Sequence, residues 1–162
     1  MLERSEAPVS HPWSELDQRV AMASIKLTRP QFDEIVAHAL EGFPNEICGI
    51  LGGTGDQVEV VHKARNVAKT PRIRFAMDPR DILEITDHID SVGMDLLGFY
   101  HSHAHTQAYP SPTDVVDWPA RWYPDALCLI CSLMEPDRPL LRAFQIAEGG
   151  DITEATVDIA PE

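Results

Sequence analysis

Residues Met94 to Tyr100 form an apolar run with strand character that passes unbroken into His101-Ser102-His103-Ala104-His105. Three histidines thus stand at alternate positions, and seven residues separate His103 from Ser111-Pro112-Thr113-Asp114, which gives a helix start. Ser at N-cap, Pro at N1 and Asp at N3 is a recognised opening for a helix. The chain must therefore end a strand and begin a helix within one short loop. In a strand, residues two apart point to the same side. His101 and His103 can face one metal ion if the extended conformation persists to residue 103.

The remaining elements follow from periodicity. Residues 1–23, with Pro8, Pro12 and mixed charge, read as a flexible tail on which Trp13, Leu16 and Val20 could dock. Ala23 to Leu27 reads as a strand. Thr28-Arg29-Pro30-Gln31 has the form of a capping box, and Phe32, Ile35, Val36, Ala39 and Leu40 follow at helical spacing to a stop at Gly42. Ile47 to Gly53 is a continuous apolar run, as in a buried strand, with Gln57 to His62 as its hairpin partner.

Arg72 to Met77 alternates like a further strand, and Asp78-Pro79-Arg80-Asp81 opens a helix that ends at Gly93. Ala126 to Met134, Leu140 to Ala147 and Ile152 to Ile159 complete the strands, joined by turns rich in Pro, Gly and Asp. The expected fold class is α+β (mixed α/β). One domain over residues 24–162 would carry a mixed, curved sheet of seven or eight strands with three helices.

Thirteen basic and twenty-six acidic residues give a formal charge of -13. Such a surface repels nucleic acid and anionic membranes, so neither is an expected partner. No signal-peptide h-region and no run of about 20 apolar residues is visible, which makes the cytoplasm the expected compartment. Cys48, Cys128 and Cys131 lie in apolar runs and are odd in number, as suits reduced thiols. Cys128 and Cys131 fall three apart in one strand, on opposite faces, so they should share neither a metal nor a disulfide. Cys48 reads as a packed thiol rather than a nucleophile. Trp118, Trp122 and Tyr123 read as core, with a substrate or dimer surface as the alternative, so a homodimer stays open.

Each half of the central stretch has an ordinary explanation: histidines on a solvated loop, and a capped helix. Taken together, two imidazoles and one carboxylate at a strand end form a three-ligand set with a position left for water, the pattern of catalytic zinc. A proton acceptor that is not a ligand would also be needed. Glu46, at the mouth of the Ile47–Gly53 run, is one candidate among many acids.

Glu46, then His101-Ser102-His103, seven residues, Ser111, two residues and Asp114 resembles the metalloprotease motif of the JAMM (MPN+) family, in its small prokaryotic branch. The flanking segments Pro44 to Gly52 and Gly98 to Tyr100 are similar too, and the resemblance covers about residues 24–147. It implies an MPN fold, with His101, His103 and Asp114 as ligands of Zn²⁺ and Glu46 as general base and then acid. Ser111 would donate a hydrogen bond to the oxyanion, and Ser102 would be structural. Ala104 stands where proline is common in the family, and His105 is read as a solvent- or substrate-facing residue.

The implied activity is zinc-dependent peptidase or isopeptidase cleavage. The bond cut would follow the C-terminal Gly-Gly of a ubiquitin-like or sulfur carrier protein, with cysteine or a lysine side chain as leaving group. The alternatives are a zinc amidohydrolase acting on small or cell-wall peptides, and a non-catalytic scaffold module of the same fold.

Overall fold

The computed structural model describes residues 23–161. The expected tail over residues 1–23, and any docking of Trp13, Leu16 or Val20, lies outside the described residues apart from Ala23. Seven strands are observed among the described residues: β1 (Ser24–Leu27), β2 (Cys48–Thr54), β3 (Gln57–Ala64), β4 (Asp95–His103), β5 (Leu127–Ser132), β6 (Leu140–Ile146) and β7 (Ile152–Ile159). Among the described residues three helices accompany them: α1 (Arg29–Gly42), α2 (Pro79–Ser91) and α3 (Pro112–Asp117).

The strands close in the order β1-β3-β2-β4-β5-β6-β7 into one barrel-like sheet. β1 runs parallel to both β3 and β7, and β4 runs parallel to β5, while the other pairs are antiparallel. The expected mixed, curved sheet is therefore present, and its curvature goes to closure.

Helix α1 begins as its sequence dictates, with Thr28 Oγ1 accepting from Gln31 N and Gln31 Oε1 accepting from Thr28 N. Its end corrects one expectation. Gly42 is the last helical residue rather than a left-handed stop, and positive φ among the described glycines is confined to Gly55, Gly93 and Gly150. The need for glycine at 42 is steric, because a Cβ there would collide with the Ile47 side chain.

A second correction concerns Arg72–Met77. That stretch is no strand: Ile73 N and Arg74 N both turn back to Thr70 O, and a single bridge joins Asn66 to Met77. The apparent alternation has a packing cause. Phe75 and Met77 pack against the core, whereas Ile73 is 77% exposed.

β4 organises the packing. Tyr100 faces a cluster with Leu51, Leu129, Cys131 and, from α1, Ile35 and Ala39. Phe99 faces the opposite way, toward Cys48, Ile50 and the Ile85 and Ile89 of α2. Each fully buried side chain of this size contributes roughly 1.5–3 kcal/mol relative to exposure, so both faces of β4 are fixed. Its side-chain alternation cannot slip by one residue without exposing one face. That register places His101 and His103 on the Phe99 face. Tyr100 is the one large polar-tipped side chain in its cluster, and its hydroxyl meets His38 Nδ1 at 2.8 Å.

The cysteines behave as read from sequence. Cys128 packs with Ile130 and Phe144 on one face and Cys131 with Leu129 on the other, and all three thiols are free and buried. Burial pushes the Cys48 and Cys131 thiols up to about 12, which leaves no thiolate nucleophile at neutral pH. The aromatic trio divides: Trp118 and Tyr123 pack edge-on against Phe99, but Trp122 is 75% exposed and is not core.

Candidate metal centre

The C-terminal end of β4 lies between the start of β2, where Cys48 pairs His101, and the end of β5, where Ser132 pairs His103. Both histidines are buried. Ser111 caps α3 by accepting from Asp114 N at 3.0 Å, and Asp114 Oδ2 accepts from Ser111 N at 2.9 Å. Helix capping is therefore one role of this pair. The same Oδ2 atom also lies 3.1 Å from His101 Nε2 and 3.1 Å from His103 Nε2, and the two nitrogens are 3.2 Å apart. The ordinary and the chemical readings hold at once.

These three atoms form a nearly equilateral triangle. A tetrahedral ion held at about 2.0–2.1 Å by nitrogen and oxygen ligands spaces those ligands roughly 3.3 Å apart. The tautomer adds a stronger argument. His103 Nδ1 lies 2.8 Å from Gln107 O, and a carbonyl only accepts, so Nδ1 carries a proton and donates it. In the neutral ring this leaves the lone pair on Nε2, pointing at a carboxylate oxygen and another imidazole nitrogen. A hydrogen on one of the two Nε2 atoms or a metal ion must sit among them. Donation of the other ring N–H to a carbonyl is also how metal-bound histidines are commonly oriented.

Glu46 completes the group. One carboxylate oxygen each from Glu46 and Asp114 and one ring nitrogen each from His101 and His103 all lie within 4.8 Å of one another, a set able to hold a metal ion. Glu46 is buried, and its Oε1 has no hydrogen-bond partner among the described residues, as is also true of His101 Nδ1. Buried polar atoms are rarely left unpaired without a functional reason. Burial pushes the Glu46 carboxyl up to about 7, with Asp114 adding to the rise and His103 opposing it. For His101, burial lowers the pKa. For Asp114, burial acts upward, but hydrogen bonds from His101 and His103 override it and hold the carboxyl below its usual range.

The raised Glu46 pKa has a consequence for stability with a definite sign. Between its ordinary value of 4.5 and about 7, the folded metal-free protein binds more protons at this site than the unfolded chain. Its stability therefore falls as pH rises through that window. Metal-free Glu46→Gln should gain in melting temperature on the parent between about pH 5 and pH 8. A gap that stays constant over that range would refute the shift.

The neighbouring shell holds several residues without a local sequence signal. Phe75 stacks on His101 with ring centroids 4.4 Å apart. Ser102 Oγ accepts from Ile47 N at 2.9 Å and ties the residue after Glu46 to β4, the structural role expected of it. Asn66 donates to Glu46 O at 2.9 Å. A cavity of about 660 Å³ opens beside His101 and Asp114, walled by Val67, Phe75, Met77, Phe99 and Trp118. His105 lies apart from the group, exposed and edge-on to Phe43.

The chain is similar to several known proteins. The family described as prokaryotic homologs of the JAB domain matches residues 28–147. A desampylase of Haloferax volcanii is 41% identical over 108 residues, covering 62% of this chain and 74% of the relative. A CysO-cysteine peptidase of Mycobacterium tuberculosis is 32% identical over 130 residues, covering 79% and 86%.

Among solved structures, a protein of Desulfitobacterium hafniense superposes with a TM-score of 0.74 at 37% identity, over 85% of this chain and 94% of its own. A JAB1/MPN domain protein of Archaeoglobus fulgidus superposes with a TM-score of 0.55 at 18% identity, over 85% and 98%, and shares the fold. The chain belongs to the prokaryotic JAB family, so the resemblance seen in its motif is borne out, as is the MPN fold.

Proposed function

We propose that this chain is a zinc-dependent peptidase or isopeptidase that hydrolyses the bond after the C-terminal Gly-Gly of a ubiquitin-like or sulfur carrier protein. One observation carries the reading: His101 Nε2, His103 Nε2 and Asp114 Oδ2 converge at 3.1–3.2 Å, beside a Glu46 oxygen that has no partner among the described residues. The names of similar enzymes, a desampylase and a CysO-cysteine peptidase, support the substrate class. The leaving group is cysteine in one version of the reading and a lysine side chain in the other. We assign residues 24–162 to the catalytic domain and residues 1–23 to an appended tail.

In this reading His101, His103 and Asp114 hold Zn²⁺. The ion supplies Lewis acidity, which makes water acidic near neutral pH and draws electron density from a carbonyl oxygen. Glu46 accepts the proton of the attacking water and delivers it to the departing amine, so the same carboxyl serves as base and then acid. Ser111 Oγ spends a lone pair on Asp114 N, which leaves its hydroxyl proton free to donate to the oxyanion.

Ser111→Ala should lower kcat on the order of 10²–10³-fold, the cost of one oxyanion donor. It should also cost about 1 kcal/mol of stability through the lost cap. Steady-state kinetics beside thermal melting separates the two effects, and an unchanged kcat would remove Ser111 from the chemistry.

The substrate class is tested with carriers ending in Gly-Gly that bear a C-terminal cysteine or a lysine isopeptide, with products read by mass spectrometry. Release of the intact carrier is the expected result. Cleavage of small peptides but of no carrier conjugate would favour the amidohydrolase alternative.

A further inference from the structure

Glu46 precedes β2 and has no place in the ladder. Its N–H donates to Pro71 O at 2.7 Å, and its C=O accepts from Asn66 Nδ2 at 2.9 Å. Both main-chain groups of the residue are therefore held by the 66–77 loop. That loop is itself closed around one side chain. Asn66 Nδ2 also donates to Arg74 O at 3.1 Å, and Asn66 Oδ1 accepts from Ala68 N and Ala76 N, each at 3.0 Å. The four bonds use both donors and both lone pairs of the amide. Their partners fix which end is oxygen, since N–H groups face one atom and carbonyls the other. On its far side the loop presses Phe75 flat against His101.

We propose that Asn66 is a positioning residue for the reaction: it closes the 66–77 loop and thereby sets Glu46 against His101. The loop holds the main chain of the base at one end and the face of a metal-site histidine at the other, and Asn66 ties the two ends together. A carboxylate whose Oε1 has no hydrogen-bond partner among the described residues depends on its backbone for position. Displacing a catalytic group by about 1 Å can cost on the order of 10²-fold in rate. The proposal rests on Glu46 being the base.

The test uses the full-length zinc enzyme and a ubiquitin-like protein joined through its C-terminal Gly-Gly to the lysine of a fluorescent peptide. Asn66→Ala should keep its zinc and lose about 10- to 100-fold in kcat, with KM changed less than about 3-fold. Asn66→Asp preserves size and both accepted bonds but turns an oxygen toward two carbonyls. It should show the same loss, and it serves if the alanine variant folds poorly.

Two further readouts separate positioning from general stability. In a Glu46→Gln background, Asn66→Ala should cost no more than about 2-fold, because the two changes act on one step. In the metal-free protein, the Glu46 amide should exchange faster in Asn66→Ala while the Leu51 amide in β2 does not. Full kcat in Asn66→Ala beside a slow Glu46→Gln, or losses that simply multiply, would overturn the proposal alone. A Glu46→Gln enzyme as fast as the parent would overturn the assignment of the base and the proposal with it.

Discussion

Replacing Glu46 by Gln should leave the fold and the zinc content in place and lower kcat by about 10²–10⁴-fold, the usual contribution of a positioned acid–base group. Gln matches Glu in size, and the main-chain bonds from Glu46 N to Pro71 O and from Asn66 to Glu46 O do not involve the side chain. No ligand in the proposed set is removed. What disappears is the capacity to take a proton and return it. Zinc analysis with single-turnover kinetics checks this directly. A variant that turns over normally would show that another group moves the proton, and one that loses its zinc would show that Glu46 is a ligand.

His103→Ala should have the larger effect, abolishing both zinc binding and cleavage. The change removes one corner of the donor triangle and the bond from Nδ1 to Gln107 O that orients it. Loss of a hydrogen-bonding partner behind a metal ligand commonly costs 10–100-fold in affinity, and loss of the ligand itself should exceed that. Calorimetric zinc titration measures the loss. Binding within about 10-fold of the parent would exclude His103 from the ligand set.

Four of the five candidate residues are legible because their signals are local. His101 and His103 share one strand parity, and Ser111 and Asp114 carry a helix-start signature that survives whether or not a metal is present. Glu46 was legible only through its spacing in a family motif, since a carboxylate before an apolar run has no meaning by itself. Asn66 was not legible at all. Its four partners come from three separate points of the chain, and nothing in Arg65-Asn66-Val67 distinguishes it from an ordinary turn asparagine.

The 66–77 loop misled for a related reason. Phe75 and Met77 alternate because they pack inward, and packing leaves the same pattern as a strand. Barrel closure was equally hidden, because it rests on the pairing of β1 with β7 across almost the whole domain. Gly42 shows the converse case. It is the last residue of α1 rather than a stop beyond it, and glycine is needed there because of a side chain five positions on rather than its own dihedral angles.

The central claim is that His101, His103 and Asp114 hold a zinc ion on which cleavage depends. Metal analysis of the purified protein, combined with carrier cleavage before chelation, after chelation and after return of zinc, tests it in one experiment. The account predicts about one zinc per chain, activity lost with the metal and restored by a stoichiometric addition. A zinc-free protein that cleaves at the full rate would contradict it.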